Sequence, residues 1–162
     1  MHPVAILQLL VLLSVANGTP VVAKKLFGNA ATWPLDAGAN FFDGRPVFGR
    51  SKTVRGLVLA VVLTAAAAPL LGLEWWIGAV IGLTAMLGDL FSSFIKRRLD
   101  RPSSSRATGL DQIPEALFPF LACGAELALT WADIVVGIAV FFVGEIFFSR
   151  LFYRLGLREE PY

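Results

Sequence analysis

The third apolar segment of the sequence, residues 75–95, carries the side chains best suited to chemistry. Its 21 residues contain one charge, Asp89, and hydroxyl and ammonium groups follow at i+3, i+4 and i+7: Ser92, Ser93 and Lys96. In a helix this spacing places the four side chains on one face. Carboxylates within apolar segments usually face a wet cavity and mark a functional site. A structural ion pair between Asp89 and a nearby Lys or Arg is the alternative interpretation.

A second carboxylate, Asp111, directly precedes the fourth apolar segment. It is either the N-cap of a helix that contains Pro114 or a partner of Asp89 in one site. Mg²⁺ is commonly held by one or two carboxylates together with substrate phosphates. We therefore predict that Asp89 and Asp111 bind Mg²⁺ and that basic side chains bind the remaining phosphate charge. The sequence contains no glycine-rich Walker loop, which argues against an ordinary nucleotide hydrolase.

The basic residues of the chain fall into three clusters separated by apolar segments. The first has Lys24, Lys25, Arg45, Arg50, Lys52 and Arg55, the second Lys96, Arg97, Arg98, Arg101 and Arg106, and the third Arg150, Arg154 and Arg158. Together they are all 14 Lys and Arg of the protein. Such clustering is typical of cytoplasmic loops of membrane proteins, and contacts with anionic lipid explain some of these residues.

The composition indicates an integral membrane protein. Of the 162 residues 56% are hydrophobic and 16% charged, and the mean hydropathy is +0.70, whereas soluble domains carry about 25% charged residues. The 13 Phe and 4 Trp exclude a disordered chain. A single His excludes a histidine-rich metal site, and a single Cys excludes an intramolecular disulfide.

Apolar segment lengths predict an all-α fold with five transmembrane helices in one domain, residues 1–162. The predicted spans are 3–23, 56–73, 75–95, 114–132 and 134–153, joined by cytoplasmic loops 24–55 and 96–112. The basic clusters place the N-terminus outside, and the C-terminus and both loops in the cytoplasm. A cleaved signal peptide is the alternative for the first span. Glu126 and Glu145 are interpreted as interhelical hydrogen-bonding groups.

Blocks of sequence between residues 16 and 115 resemble the archaeal CDP-archaeol synthase family, membrane cytidylyltransferases related to bacterial CDP-diacylglycerol synthases. The matching blocks are Ala16-Asn17-Gly18-Thr19-Pro20, Pro34-Leu35-Asp36-Ala37-Gly38, Asp43-Gly44-Arg45-Pro46-Val47-Phe48-Gly49, Lys52-Thr53-Val54-Arg55-Gly56, Gly88-Asp89, Ser93-Phe94-Ile95-Lys96-Arg97-Arg98 and Leu110-Asp111-Gln112. Their order and the predicted topology both match. The stretch 100–108 differs from the glycine-bearing linker associated with the family.

The resemblance implies that an archaeal ether-lipid phosphate attacks the α-phosphorus of CTP, which gives CDP-archaeol and pyrophosphate. It implies catalytic roles for Asp89, Asp111 and Lys96, with the two aspartates holding Mg²⁺. The residues expected to bind CTP are Lys52, Arg55, Lys96, Arg97, Asn17, Asp43 and Arg45. Arg98 is expected to bind the lipid phosphate at headgroup level.

The expected partners are CTP and a lipid phosphate from the inner leaflet of the cell membrane, and no nucleic acid is expected. Pairing with a second copy is one reading of the Gly78–Gly82 spacing, and packing within one chain is the other. Two further functions stay open at this point. One is a CTP-dependent enzyme on another lipid, either a CDP-diacylglycerol synthase or a polyprenol kinase. The other is a small transporter subunit with Asp89 on an ion path.

Overall fold

The computed structural model describes residues 1–28, 30–103, 105 and 107–154, with side chains as far as Phe147. Its helices are α1 (Pro3–Phe27), α2 (Val54–Ala67), a short 3₁₀ helix (Ala68–Leu71), α3 (Trp75–Arg98), α4 (Gln112–Ala122) and α5 (Trp131–Arg154). The all-α prediction is confirmed for this part of the chain. In the third basic cluster, Arg150 and Arg154 lie where only the backbone is described, and Arg158 lies outside the described residues, as does Arg106 of the second cluster.

Two contacts bring the N-terminus, the α2–α3 turn and the α4–α5 turn to one end of the bundle. The His2 backbone N–H donates to Asp133 Oδ1 at 2.9 Å, and the His2 ring Nδ1 lies 3.0 Å from Asp133 Oδ2. Gln8 Nε2 donates to the carbonyl of Leu71 at 2.8 Å. The two long loops, 28–53 and 99–111, therefore lie at the opposite end, where the first two basic clusters are found.

Helix α3 is the central element, since it packs against α1, α2 and α4. Its close approach to α2 depends on Gly78, where an added Cβ would lie 2.4 Å from the Thr64 carbonyl oxygen. Its approach to α4 depends on Gly88, whose Cβ would lie 2.3 Å from the carbonyl oxygen of Pro114. Small residues at such positions let helix backbones meet closely without a hydrophobic driving force. Gly78 therefore serves packing within the chain.

Three helical segments are long and apolar enough to cross a membrane, counted over the described residues: Pro3–Phe27, Val54–Leu71 and Trp75–Arg98. They correspond to the first three predicted spans. Their exposed surfaces carry large apolar side chains such as Leu7, Val62 and Leu83, as expected for surfaces solvated by lipid tails.

The fourth predicted span, 114–132, is not one continuous helix. Helix α4 ends at Ala122 after 11 residues, a length of about 16 Å at 1.5 Å per residue, against a hydrocarbon core of about 30 Å. Pro119 lies inside it, and proline weakens a helix because it has no N–H and crowds the preceding turn. The chain then turns through residues 123–130, and Glu126 is exposed on that turn. The interpretation of Glu126 as an interhelical group is therefore wrong.

We expect Gly78→Ala to lower the stability of the folded protein by about 1–3 kcal/mol, the usual cost of overpacking a core. The cause is the backbone of α2, which leaves no room for the added methyl group. Thermal unfolding in detergent, followed by circular dichroism, measures the loss. The matched control is Gly18→Ala in α1, where an added Cβ meets nothing within 4 Å. An equal melting temperature for both variants would contradict the packing role of Gly78.

Candidate active site

The centre of the site is an ion pair between the first loop and α3. The ammonium of Lys52 donates to both carboxylate oxygens of Asp89, at 2.6 Å to Oδ1 and 2.5 Å to Oδ2. Both side chains are about three-quarters buried, with exposures of 22% and 25%. A cavity of about 50 Å³ lies beside them, lined also by Pro20 of α1, Leu57 of α2 and Met86 of α3. Three helices and the first loop thus meet at Asp89.

A second lysine–carboxylate pair joins residues at the two ends of the second loop: Lys96, in the last turn of α3, and Asp111, just before α4. Lys96 Nζ of α3 is 2.7 Å from Asp111 Oδ1 and also donates to the Ser105 carbonyl at 3.0 Å. Asp111 stands at the N-cap position of α4, but its side chain caps nothing there. It accepts instead from the Ala107 N–H at 2.8 Å. The side chain of Asp111 therefore serves the Lys96 pair and the second loop, not the helix terminus.

A third acid, on α4, interacts with members of both pairs. Glu115 of α4 is 8% exposed and faces the charges of Asp89, Asp111, Lys52 and Glu145. Glu115 follows Asp111 by four residues, about one helical turn, and this spacing is the sequence signal that could have identified it. No role was predicted for it. Glu145 lies in this group, so it adds to the charge of the site from α5.

The first loop has its own internal order, which depends on Asp36. One oxygen of Asp36 accepts from the backbone N–H of Gly38 at 3.1 Å, and the other accepts from Phe48 and Gly49, each at 2.9 Å. The Leu35 N–H also donates to the Lys52 carbonyl at 2.8 Å. Asp36 therefore folds the loop back on itself and sets the position from which Lys52 reaches Asp89.

The environment of Asp36 shifts its acidity. Partial burial acts to raise the pKa of this carboxyl, but the three backbone N–H donors favour the charged form more strongly, so the pKa lies below the usual 3.8. These bonds stabilise the folded loop at any pH above the pKa of the unfolded chain. That stabilisation is lost as the pH falls through the lower, folded pKa.

Asp43, Arg45 and Arg98 are all predicted to bind ligand, and in the structure they contact one another. These contacts join the first loop to the end of α3. The guanidinium of Arg98 lies 4.8 Å from the ring centroids of Phe41 and of Phe94, and it is 3.0 Å from Asp43 Oδ1. In return, Arg45 donates to the carbonyl of Arg98 at 2.5 Å. We call this set, Phe41, Asp43, Arg45, Phe94 and Arg98, the loop latch. Its contacts describe a positioning role, and the predicted ligand roles of Asp43, Arg45 and Arg98 stay predictions.

The two loops also touch each other. Ser103 Oγ donates to Ser51 Oγ at 3.1 Å, and Gly49, with φ +92°, passes so close that an added Cβ would lie 3.1 Å from Ser103 Oγ. Arg97 is 6% exposed beneath them and donates to the carbonyl of Pro102 at 2.7 Å. The described parts of both loops thus form one layer over the end of α3, with Arg97 buried inside it.

Asn17 and Arg55, two other residues predicted to bind CTP, lie in different surroundings. Asn17 of α1 is three residues before Pro20, which lines the cavity, and both of its side-chain polar atoms are buried without a hydrogen-bond partner. Arg55 donates to the carbonyls of Ala30 and Gly28 and lines a separate apolar groove of about 320 Å³. Neither Asn17 nor Arg55 lines the cavity beside Asp89, so their predicted roles in CTP binding stay predictions.

The carboxylates suit a divalent cation that shares its coordination with a substrate. Within the described ranges no group of three or more His, Cys, Asp and Glu converges on one point, so a cage made only of protein ligands is absent there. Mg²⁺ does not require one, because it is often held by one or two carboxylates, phosphates and water. The ammonium of Lys52, bonded to both oxygens of Asp89, already occupies the position of a cation. The donor set therefore fits Mg²⁺ bound together with phosphate.

The fold and the site define a helical membrane protein with a charged cavity at the end of its helices. A solved structure described as an intramembrane enzyme for archaeal membrane lipids biosynthesis superposes with a TM-score of 0.75 and 30% sequence identity. The match covers 88% of this chain and 90% of that one. This similarity, together with the three apolar helices, supports association with a membrane.

Sequence comparison gives the family. The family model described as CarS-like, CDP-archaeol synthase, matches residues 73–162. A CDP-archaeol synthase of Sulfurisphaera tokodaii is 36% identical over 160 residues, covering 91% of this chain and 89% of the relative. Another from Pyrobaculum aerophilum is 31% identical over 155 residues, covering 91% and 92%. The chain belongs to the CDP-archaeol synthase family, and the resemblance seen in its sequence is confirmed.

We expect Asp36→Asn to speed amide hydrogen exchange about tenfold in peptides covering residues 47–49 at pH 7, because hydrogen bonds to a charged acceptor contribute about 1.5–3 kcal/mol. Exchange mass spectrometry, corrected for intrinsic pH dependence, measures this. The wild type should approach the variant once the pH falls below the folded pKa of Asp36. Asp100→Asn, at a carboxylate that is 81% exposed, is the control. A pH-independent difference between wild type and Asp36→Asn would refute the carboxylate's role.

Proposed function

We propose that this chain is a CTP-dependent cytidylyltransferase that makes CDP-archaeol from CTP and the phosphate of an archaeal ether lipid. The observation that carries the proposal is the convergence of two lysine–carboxylate pairs, Lys52–Asp89 and Lys96–Asp111, under two basic loops. The chain belongs to a family whose relatives are named CDP-archaeol synthase, and this indicates which reaction the converging residues would carry out.

The proposed reaction is a substitution at phosphorus. An oxygen of the lipid phosphate bonds to the α-phosphorus of CTP, the bond from that phosphorus to the bridging oxygen breaks, and pyrophosphate leaves with the bonding electrons. A phosphate monoester is already mostly dianionic at pH 7, since its second pKa is about 6. The protein therefore needs to bring two anions together and to stabilise charge on the leaving group, so positioning and electrostatics dominate.

The chain's own residues divide this work. Lys52 and Lys96 supply mobile ammonium groups for phosphate oxygens, and Arg97 adds positive charge under the loops. Asn17 offers an amide that can both donate to and accept from a nucleoside. Asp89 and Asp111 would hold Mg²⁺, which when bound would neutralise phosphate charge and polarise the reacting phosphoryl group. The loop latch would keep the first loop in place during the reaction.

The same proposal includes an orientation in the membrane. The end that carries the loops would face the cytoplasm, because Lys and Arg concentrate on cytoplasmic loops. Trp75, Trp76 and Trp131 lie at the opposite end and are exposed by 63%, 40% and 75%, as in an interfacial aromatic belt. The proposed arrangement has five membrane-embedded helices with the N-terminus outside, α4 entering without crossing as a single straight helix, and lipid reaching the site from the inner leaflet.

Pyrophosphate release by detergent-purified protein with CTP and Mg²⁺ tests the function. We expect release with the archaeal ether-lipid phosphate and none without lipid. Equal release with phosphatidic acid would keep the reaction but show that the site recognises the phosphate and not the tails. Absence of release with either lipid, from protein shown to be folded, would overturn the proposal. Omitting Mg²⁺ in the presence of EDTA should abolish release.

Asp89→Asn and Asp111→Asn should each reduce turnover at least tenfold, a barrier change of about 1.4 kcal/mol or more. The amide keeps the size of the side chain but offers one neutral oxygen in place of a charged pair. Initial rates of pyrophosphate release measure the effect, and circular dichroism checks that the variants fold. Glu126→Gln, at an exposed carboxylate on the α4–α5 turn, is the control. Either aspartate variant with more than a tenth of wild-type turnover would exclude that residue as a metal ligand.

A further inference from the structure

We propose that Lys52 and Lys96 are exchange residues, each moving between a carboxylate and a phosphate, so that the site binds nucleotide and divalent cation together and binds either one poorly alone. The inference rests on the proposed function and concerns how that same site selects its ligands. It starts from one observation: both carboxylates suited to a metal already face an ammonium, with Lys52 hydrogen-bonded to Asp89 at 2.5–2.6 Å and Lys96 in an ion pair with Asp111 at 2.7 Å.

The geometry of the first pair excludes simple addition of a cation. Lys52 Nζ bonds to both oxygens of Asp89, and both residues line the cavity. A divalent ion at those oxygens would lie within a few ångströms of the ammonium. Like charges at that separation repel strongly in a partly buried site, where the effective dielectric constant is well below that of water. Lys52 must therefore leave Asp89 before a metal can bind there.

A lysine that leaves its carboxylate needs another anion. Lys52 and Lys96 are 22% and 8% exposed, so solvent offers little compensation, and an unpaired charge at such a site is strongly unfavourable. A triphosphate supplies the anion. Conversely, a triphosphate that takes the lysine without a metal would leave Asp89 unpaired beside phosphate oxygens. The metal therefore compensates the carboxylate that nucleotide binding would leave unpaired, and the nucleotide compensates the lysine that metal binding would leave unpaired.

The structure allows the movement. Lysine has a flexible four-carbon stem with a rotatable ammonium, and Lys52 lies on the wall of the cavity at the base of the first loop. Arg97 donates to a backbone carbonyl of the second loop, whereas each lysine faces a carboxylate, and Lys96 also donates to the carbonyl of Ser105. The exchange is therefore assigned to the two lysines, and the arginines of the site keep their protein partners.

The test measures each ligand alone, in protein that has not turned over. Mn²⁺ binding without nucleotide is followed by electron paramagnetic resonance, and CTP binding in EDTA by equilibrium dialysis. Lys52→Met should bind Mn²⁺ about tenfold more tightly than wild type, within the usual range of coupling between two ligands. Asp89→Asn should bind metal-free CTP about tenfold more tightly, because Lys52 is released. A purely structural role would weaken both.

Controls separate exchange from a general change in charge. Lys25→Met removes one positive charge from an exposed side chain in the last turn of α1, at the same end of the bundle. Asp100→Asn removes one negative charge at that end, from a carboxylate that is 81% exposed and pairs with Arg45. If these controls shift Mn²⁺ and CTP affinity as much as Lys52→Met and Asp89→Asn do, the proposal is overturned.

The second pair keeps the test decisive if a Lys52 variant fails to fold. Lys96→Met should bind Mn²⁺ more tightly, and Asp111→Asn should bind metal-free CTP more tightly. If neither pair of variants shows these gains in affinity, the exchange is overturned. Failure of the proposed function is separate, since it appears as no pyrophosphate release from folded wild type. If the wild type makes CDP-archaeol but its variants show no gain in affinity for Mn²⁺ or CTP, only the exchange is refuted.

Discussion

The ion pair between Lys52 and Asp89 is the interaction on which the rest of the site depends. It joins the first loop to α3 at a place where single charges are unfavourable to bury, and each partner offsets the charge of the other there. Removing either one would leave a charge about three-quarters buried. The neighbouring structure is built to keep the two together: Asp36 folds the loop beneath Lys52, and Gly88 lets α3 approach α4 closely beside Asp89.

The two loops are held by different kinds of contact, and the difference matters for chemistry. The loop latch surrounds Arg98 with two aromatic rings, a carboxylate and backbone carbonyls, so several bonds must break at once before that arginine moves. Lys52 and Lys96 have fewer partners, and those partners are mainly carboxylates. Arginines with planar, stacked contacts thus give the layer its rigidity, while lysines provide the groups that can change partner.

The all-α fold and the first three spans could be predicted from the sequence, because hydropathy is a local property of the chain. The roles of Asp89 and Asp111 stay predictions, although the structure does place both carboxylates beside lysines. Which lysine pairs with which aspartate could not be predicted, since residues 52 and 89 are brought together only by the packing of α2 on α3. The fourth span was misjudged for a related reason. Apolar composition continues past Ala122, but the helix ends there and the chain turns through residues 123–130. Glu115 was missed because its burial depends on Gly88, a residue on another helix.

The size of the cavity constrains how any nucleotide reaches the carboxylates. About 50 Å³ beside Asp89 accommodates a few water molecules, whereas sites for molecules of nucleotide size usually enclose about 300–1,000 Å³. Binding must therefore displace part of the layer, and the contacts that oppose displacement are unequal. Breaking the latch would expose more of Phe41, which is already 40% exposed, and would separate Arg98 from several partners. The segment that carries Lys52 is joined to α3 by the bonds of its ammonium to Asp89. In the proposed exchange, a triphosphate that replaced Asp89 as the partner of Lys52 would weaken this connection, so ligand exchange and opening of the site would be the same physical event.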